Sequence, residues 1–261
     1  MSWHNHTGAY PRFSPCATPG LSAARYKAAM EGPDRDAWEG FAITEHAFGI
    51  AVPHEVRCWP EHWFYERTAI KPDTVRRRIA KCLEYYATFR DNRRFFTGIE
   101  VESDASGAPA IPLKRLREFG GVVIAAVHCD MGDFPDWTAR HFHHLDKALR
   151  IPTDILAHPL RRLRPQSPLP REIIGETLDR INAAGMAVEI NAHYTRIVDD
   201  IPLLQGAAER GMRVAFSMDL HYPEEFGNWR YFEDVCERAG LDPDKDLKLF
   251  NIDNNAQNRL S

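Results

Sequence analysis

The stretch Trp3-His4-Asn5-His6-Thr7 places two histidines two residues apart, almost at the first residue of the sequence. On a β-strand over residues 2–6, His4 and His6 would point to the same face, with about 6.6 Å between them. Two imidazoles rooted there can converge on one metal ion. The alternative is a polar N-terminal segment with two solvated histidines, and the rest of the chain has to decide between the two.

Apolar runs of strand length follow along the chain and alternate with segments of helical pattern. The clearest is the continuous apolar run 121–127, which ends at His128. The predicted strands are residues 2–6, 40–44, 95–99, 121–127, 153–157, 186–190 and 212–217. The predicted helices are residues 21–31, 71–90, 136–150, 170–184, 201–210 and 229–239. This alternation predicts a parallel α/β sheet or barrel.

All but one of these strands lead into a residue that can bind a metal ion. The candidate ligands are His4, His6, His46, Glu100, His128, His158, Asp219 and His221. In a parallel barrel the carboxyl ends of the strands lie on one face, so these residues would meet there. Singly, each histidine could be a satisfied polar residue at a strand end, but together they predict a multinuclear metal site. Imidazole and carboxylate ligands suit zinc, manganese or iron.

Length and composition bound the class of protein. The 261 residues suffice for one large domain with a buried core, and no linker divides residues 1–261. A net charge of −4 argues against broad binding to nucleic acid or membrane surfaces, although a local basic patch stays open. The five scattered cysteines and the lack of a signal-peptide pattern indicate reduced thiols in the cytoplasm. The sequence does not indicate an oligomeric state.

Seven short motifs occur in order along residues 4–221. They are His4-Asn5-His6, Ala42-Ile43-Thr44-Glu45-His46, Gly98-Ile99-Glu100, Val127-His128, Leu156-Ala157-His158-Pro159, Val188-Glu189-Ile190-Asn191 and Ser217-Met218-Asp219-Leu220-His221. This set resembles the PHP family, the polymerase and histidinol phosphatase group. The resemblance implies a distorted seven-stranded (β/α)7 TIM-like barrel with two or three divalent metal ions. It also implies hydrolysis of a phosphoester by a metal-bridging hydroxide.

The resemblance further implies which residues would hold each ion. One ion would be held by His4, His6, Glu100 and Asp219, a second by Glu100, His128 and His158, and a third would be faced by His46 and His221. Glu100 would then bridge two ions, and Glu100 and Asp219 would be central to catalysis.

Arg12 is where this sequence departs from the family pattern. Trinuclear members usually have another histidine six residues after the second histidine of the pair, and Arg12 occupies that position. Arg12 either leaves a two-metal site or acts in catalysis by presenting its guanidinium to the substrate phosphate. The alternative is a solvated loop arginine. Glu45 stands where the family often has aspartate, and we expect it to support the site from behind.

Several other residues are candidates for contact with a substrate. The basic stretch 160–164 and Arg196 could bind an anion, although a solvated basic loop fits equally well. His193 is expected near the substrate, and the aromatic connection 47–70 could cover the pocket or pack locally. The histidines of the 136–150 helix, His141, His143 and His144, are expected mostly at the surface. Glu189, in the middle of a strand, receives little weight.

The leading functional prediction is a metal-dependent phosphoesterase for a small phosphomonoester such as histidinol phosphate. The alternatives are a phosphodiesterase for a nucleotide or cyclic phosphate, an amidohydrolase-type hydrolase of C–N or C–O bonds, and a metal-binding barrel without activity. Amidohydrolase barrels typically have eight strands and a lone late aspartate, which fits Glu100 and the Asp219-Leu220-His221 ending poorly. The nearly complete ligand set argues against an inactive barrel.

Overall fold

Seven parallel strands form one sheet in the described part of the chain, and their order in the sheet is their order in the sequence. They are β1 (Phe41–His46), β2 (Phe95–Glu102), β3 (Val122–Ala126), β4 (Ile155–Leu156), β5 (Ala187–Asn191), β6 (Arg213–Ser217) and β7 (Lys248–Leu249). Strands β1, β3 and β5 are buried along their whole length, as expected where helices cover one face and side chains fill the other. The predicted distorted seven-stranded α/β barrel is confirmed.

The structure is a computed structural model, and it describes residues 1–8, 13–14, 16–32, 39–51, 71–89, 92–102, 108–128 and 136–252. Arg12 and most of the aromatic connection 47–70 lie outside the described residues, so their predicted roles stay predictions. The organisation of residues 1–261 as a single domain also stays a prediction. Within the described ranges, no helix is both long enough and apolar enough to cross a membrane.

The N-terminal segment joins the two sides of the curled sheet. Ser2 forms a parallel bridge with Phe41 of β1, and Trp3 N donates to Phe216 O of β6 at 3.1 Å. Further along, Asp219 N donates to the backbone oxygen of His4 at 2.8 Å. The strand predicted at residues 2–6 is therefore extended backbone shared between two neighbours, with regular bridge pairing at Ser2.

The α-helices alternate with the strands. They are α1 (Ala23–Glu31), α2 (Ala47–Ala51), α3 (Pro72–Ala87), α4 (Trp137–Ala148), α5 (Arg171–Ala183), α6 (Ile197–Glu209), α7 (Arg230–Ala239) and α8 (Pro243–Asp246). The helix predicted at 201–210 begins earlier, at Ile197. Asp199 and Asp200 favour this first turn through the helix dipole, and Pro202 is accommodated inside the helix.

Strand register decides which side chains point into the barrel. Ile124 and Ala215 belong to an apolar cluster around Trp3 that occupies the interior. In the adjacent strands, Glu100 pairs with Ile124, and Glu189 pairs with Ala215. Because directly paired residues of neighbouring strands share a face, both carboxylates point into the barrel. The fold therefore places two buried acids on the inside, close to the carboxyl ends of their strands.

Candidate metal centre

The predicted ligands meet at the carboxyl ends of the strands. His46 ends β1, Glu100 lies near the end of β2, and His128 and His158 follow β3 and β4 by two residues. Asp219 follows β6 in the same way. All eight predicted ligands are buried, and none is more than 7% exposed. The structure thus brings together residues that are widely separated in the sequence.

Four side chains surround a first position that could hold a metal ion. His4 Nε2 lies 3.3 Å from Glu100 Oε2 and 3.6 Å from Asp219 Oδ1. His6 Nε2 lies 3.4 Å and 3.1 Å from the same two oxygens. A tetrahedral zinc ion with bonds of about 2.0–2.1 Å separates its ligand atoms by roughly 3.3 Å. The spacing of the four atoms therefore fits ligands around a cation.

The other carboxylate oxygen of Glu100 faces a second position. His128 Nε2 lies 3.2 Å from Glu100 Oε1, and His158 Nε2 lies 3.4 Å from the same oxygen. The two histidine nitrogens are 3.3 Å apart. One oxygen of Glu100 is thus available to each position, which is the arrangement of a carboxylate that bridges two ions.

Several atoms that face these positions make no hydrogen bond within the described part of the chain. They are His4 Nε2, His6 Nε2, both carboxylate oxygens of Glu100, and Asp219 Oδ1. A buried polar atom without a partner costs about 1–3 kcal/mol, and native structures leave few of them. Bound cations would satisfy all five atoms at once, so the residues present fit a metal centre.

The outer nitrogens of the first two histidines already have partners. His4 Nδ1 lies 3.0 Å from Glu189 Oε1. His6 Nδ1 lies 3.0 Å from Ser14 Oγ, and the Ser14 hydroxyl donates to Glu45. Both contacts assign the ring proton to Nδ1, so the Nε2 lone pair of each ring faces the centre. With the proton held on Nδ1, a metal ion can take the place of any proton on Nε2.

Glu45 lies behind His6, as the sequence led us to expect. Its carboxylate accepts hydrogen bonds from the backbone N–H of Thr7 at 3.1 Å and from the hydroxyls of Thr7 and Ser14. Burial raises the pKa of Glu45 to about 7, although the hydrogen bonds from Ser14 and Thr7 lower it. Glu45 therefore supports the centre from behind, through Ser14 and His6.

Glu189 has a larger part in the site than its sequence position indicated. Its Oε1 meets His4, and its Oε2 accepts hydrogen bonds from the backbone N–H of His158 at 2.6 Å and from Asn191 Nδ2 at 2.8 Å. Asn191 Nδ2 also lies 3.1 Å from Asp219 Oδ2. The sequence analysis gave Glu189 little weight and assigned no role to Asn191, although one of the seven motifs contains both residues. A further signal was a glutamate inside an otherwise apolar, buried strand.

Glu102, which the sequence also did not single out, orients His46. The Nδ1 of His46 hydrogen bonds to Glu102 and lies 2.6 Å from Glu100 Oε2. The opposite nitrogen, His46 Nε2, lies 3.1 Å from Cys16 Sγ. Burial raises the pKa of the Cys16 thiol, but the charges of His46 and His221 lower it to about 6 overall. His46 therefore stands between Glu100 on one side and a thiol on the other.

Opposite charges balance one another within the centre. Burial opposes a charge on His4, but the carboxylates of Asp219 and Glu100 raise its pKa well above the usual value. Burial opposes a charge on both acids too, and the facing histidines hold the pKa of Glu100 and of Asp219 well below the usual values. Burial lowers the pKa of His158 to about 4, so this imidazole is neutral and able to bind a metal ion near neutral pH.

The predicted substrate contacts lie around the same centre. The Arg161 guanidinium carbon is 4.2 Å from the ring centroid of Tyr194, and the Tyr194 ring lies 5.2 Å from that of His158. Arg196 lines a small cavity together with these residues. The His193 ring stacks on that of His221, with 4.2 Å between centroids. Arg161, Arg196 and His193 are therefore all close to proposed ligands.

The prediction that the three histidines of α4 lie mostly at the surface is wrong. His143 is exposed, but His141 and His144 are buried. They share the buried face of the helix with Leu145 and Ala148, at the spacing that places residues on one side of a helix. His141 Nε2 lies 2.9 Å from Thr177 Oγ1 on α5. Helical periodicity therefore outweighed the polarity of these two side chains.

The sequence matches no family model and no curated protein. Among solved structures, the chain is similar to the histidinol phosphate phosphatase of Lactococcus lactis subsp. lactis, complexed with zinc, L-histidinol and phosphate. The TM-score is 0.57 at 16% sequence identity, and the alignment covers 92% of this chain and 94% of that one. This chain therefore has the fold of a histidinol phosphate phosphatase over nearly its whole length, in agreement with the motif resemblance.

Proposed function

We propose that the chain is a metal-dependent phosphoesterase that hydrolyses a small phosphomonoester. The observation that carries this proposal is the Glu100 carboxylate, whose two oxygens each face a separate pair of buried histidine nitrogens at 3.2–3.4 Å. A shared carboxylate between two sets of nitrogen ligands is typical of two-metal hydrolytic sites. The fold shared with a histidinol phosphate phosphatase supports the same class of reaction.

The proposed ligands fall into the two groups that the geometry separates. His4, His6, Glu100 and Asp219 would hold one divalent ion, and Glu100, His128 and His158 would hold the second. When bound, the two ions supply a water nucleophile of lowered pKa and neutralise charge on the phosphoryl group. Nitrogen and oxygen ligands suit zinc, manganese or iron. The related structure contains zinc, which favours zinc here.

Arg161 would bind the charged part of the substrate. Its backbone N–H donates to the carbonyl oxygen of His158 at 2.9 Å, which fixes the arginine beside a proposed ligand. The guanidinium lies over Tyr194, and both side chains line a cavity that also includes His158. A planar guanidinium binds two phosphate oxygens at once, so Arg161 would orient the phosphoryl group against the centre.

His193 is our candidate for the proton donor to the leaving alcohol. Its Nδ1 lies 2.6 Å from Glu225 Oε1, while the other oxygen of Glu225 accepts from the backbone N–H of His221 at 2.6 Å. This carboxylate fixes the ring beside His221 and leaves Nε2 for the substrate. A histidine positioned in this way can give its Nε2 proton to the departing oxygen as the P–O bond breaks.

We further propose a phosphomonoester of about the size of histidinol phosphate. The related structure contains L-histidinol and phosphate, which supports an amino-alcohol phosphate as the first compound to test. The free thiols of Cys16, Cys82 and Cys236 are in keeping with a cytoplasmic location. Arg12 stays a candidate for additional phosphate contact.

Metal analysis followed by a hydrolysis assay tests the proposal. Protein purified without added metal or chelator should contain about two or three equivalents of zinc, manganese or iron per chain. It should hydrolyse histidinol phosphate and aryl phosphomonoesters faster than the corresponding diesters. A preference for diesters by orders of magnitude would overturn the monoester assignment. Failure to take up any metal on titration would overturn the hydrolytic function itself.

A pair of matched variants compares the loss of one negative charge at the proposed centre with the same loss at the surface. Asp219→Asn keeps the size of the side chain and removes the charge from the proposed first position, so both metal content and hydrolysis should fall. Asp244→Asn makes the same change at an exposed residue of α8 and should leave both unchanged. Equal effects of the two variants would contradict the assignment of Asp219.

A further inference from the structure

Cys16, His46 and His221 form a cluster beside the two proposed metal positions. Cys16 Sγ lies 3.1 Å from His46 Nε2. One ligand atom from each of these residues, and one from His6, all lie within 4.8 Å of one another. Both histidines of the cluster are buried, and Cys16 is partly buried. The two ligand groups proposed above use none of these three side chains, and the sequence led us to expect a third ion facing His46 and His221 but gave no role to Cys16.

In both imidazoles of the cluster Nδ1 has a partner, so Nε2 is the nitrogen that can bind a metal ion. His46 Nδ1 hydrogen bonds to Glu102, and His221 Nδ1 lies 2.6 Å from the backbone oxygen of Asp219. Both contacts assign the ring proton to Nδ1 and leave a lone pair on Nε2. A single S–H can donate to only one of these two lone pairs. A cation between them would be bound by both nitrogens and by the sulfur.

The loop that carries Cys16 is tied to the elements of both histidines. Thr18 N donates to the carbonyl oxygen of His221 at 2.9 Å, and His46 N donates to Ser14 Oγ at 3.3 Å. Between these anchors, Ala17 N donates to Ser14 O at 3.2 Å and turns the chain around Cys16. Bonds on both sides of the cysteine thus hold its thiol against the two imidazoles.

We propose that Cys16 binds a third metal ion as a thiolate, together with the Nε2 atoms of His46 and His221. The inference rests on the proposed function and deepens it, because it adds a sulfur ligand to a centre otherwise made of nitrogen and oxygen. Binding releases the thiol proton to solvent, since the thiolate is the ligand. Three protein ligands leave the fourth position of a tetrahedral ion open to water or to a substrate oxygen.

The sulfur ligand gives the third position its own metal preference. Thiolate selects zinc and other soft ions, whereas oxygen-rich sites suit manganese and magnesium. The first two positions, with carboxylate and imidazole alone, accept a broader set of ions. We therefore expect manganese to fill two positions per chain and zinc or cobalt to fill three.

Cobalt(II) is a suitable probe because bonds between cobalt and thiolate absorb in the near ultraviolet, and bonds to nitrogen and oxygen do not. Metal-free protein titrated with cobalt should develop this charge-transfer band. Cys16→Ser should abolish the band and lower the cobalt content by about one ion per chain, leaving the other two in place. Cys236→Ala, at a buried thiol of α7, is the matched control and should retain both the band and the full cobalt content.

A second variant and a second measurement cover the case in which the serine variant folds poorly. Cys16→His supplies a nitrogen ligand, so it should restore the cobalt content without the charge-transfer band. X-ray absorption at the zinc edge of the unmodified protein should show a sulfur neighbour at about 2.3 Å.

The outcomes distinguish this inference from the proposed function. If Cys16→Ser keeps the band and the full cobalt content, or if zinc shows no sulfur neighbour, Cys16 is not a ligand. The two-metal phosphoesterase would then still stand, provided that two ions bind and phosphomonoesters are hydrolysed. If the unmodified protein binds no cobalt at all, the third position and the proposed function both fail.

Discussion

Replacing Glu189 by glutamine changes one carboxylate oxygen into an NH2 group beside His4, a ligand of the proposed centre. In the native protein, Glu189 Oε1 accepts from His4 Nδ1, and Oε2 accepts from His158 N and Asn191 Nδ2. Glutamine has one acceptor oxygen, and that oxygen has to face the two donors of His158 and Asn191. The amide NH2 then faces His4 Nδ1, where a carboxylate oxygen was.

The cost follows from the tautomer of His4. Opposite an NH2 group, His4 Nδ1 has to accept, so its proton moves to Nε2, the atom that faces Glu100 and Asp219. A protonated Nε2 cannot bind a metal ion. Returning the proton to Nδ1 forfeits one hydrogen bond to a charged group, which is worth about 1.5–3 kcal/mol. At about 1.4 kcal/mol for each factor of ten, metal binding at the first position should weaken about 10- to 100-fold.

Competition with a chromophoric chelator measures this affinity for the unmodified protein, Glu189→Gln and Glu172→Gln. Glu172 is an exposed residue of α5, so its variant controls for the loss of one negative charge. Thermal unfolding of the metal-free proteins shows whether Glu189→Gln affects folding independently of the metal. A metal Kd within about twofold of the unmodified protein, well below the expected change, would refute the proposed tautomer argument.

Three further predictions concern metal, acid and the leaving group. Removing metal with a chelator should lower the Tm by on the order of 10 °C, and zinc should restore it, since bound ions stabilise only the folded chain; an unchanged Tm would contradict a buried centre. Burial and Arg180 lower the pKa of His141 from 6.5 to about 4, so folding stability is lost as the pH falls through this window. Between roughly pH 7.5 and pH 5, the free energy of unfolding in urea should fall by about 2 kcal/mol less for His141→Gln than for the unmodified protein. If the free energies of the two proteins fall in parallel with pH, the assignment to His141 is refuted. His193→Asn should lower kcat for a poor leaving group more than for an aryl phosphate at unchanged metal content; equal losses would remove His193 as the proton donor.

The ligand candidates could be found from the sequence because they depend on local signals. The first polar residue after a strand lies at the carboxyl end of that strand, and this position does not depend on the rest of the chain. His128 after the run 121–127 and His158 after β4 are examples of this rule. Parallel packing then brings such residues to one face without any detailed knowledge of distances. The fold and the position of the candidate site were therefore predictable together.

The supporting residues depend on contacts that local patterns do not contain. The inward direction of Glu189 follows from its register with Ala215 of β6, and a shift by one residue would reverse it. Cys16 contacts His46 because the loop that carries Cys16 folds back over the site. Loops have no sequence periodicity, so nothing around Cys16 in the sequence indicated a ligand. Strand β7 has two residues, too few for any pattern to show. Tertiary geometry alone supplied these features.

Backbone conformation gives an independent reason to regard the centre as functional. Among the described non-glycine residues, His158 and Asp219 have positive φ, at 30° and 51°. Such conformations cost of order 1–3 kcal/mol each and persist where the surroundings enforce them. Here the His158 N–H is held by Glu189, and the Asp219 N–H by the backbone oxygen of His4. Both strained residues are ligands of the proposed centre, so the backbone conformation is consistent with that proposal.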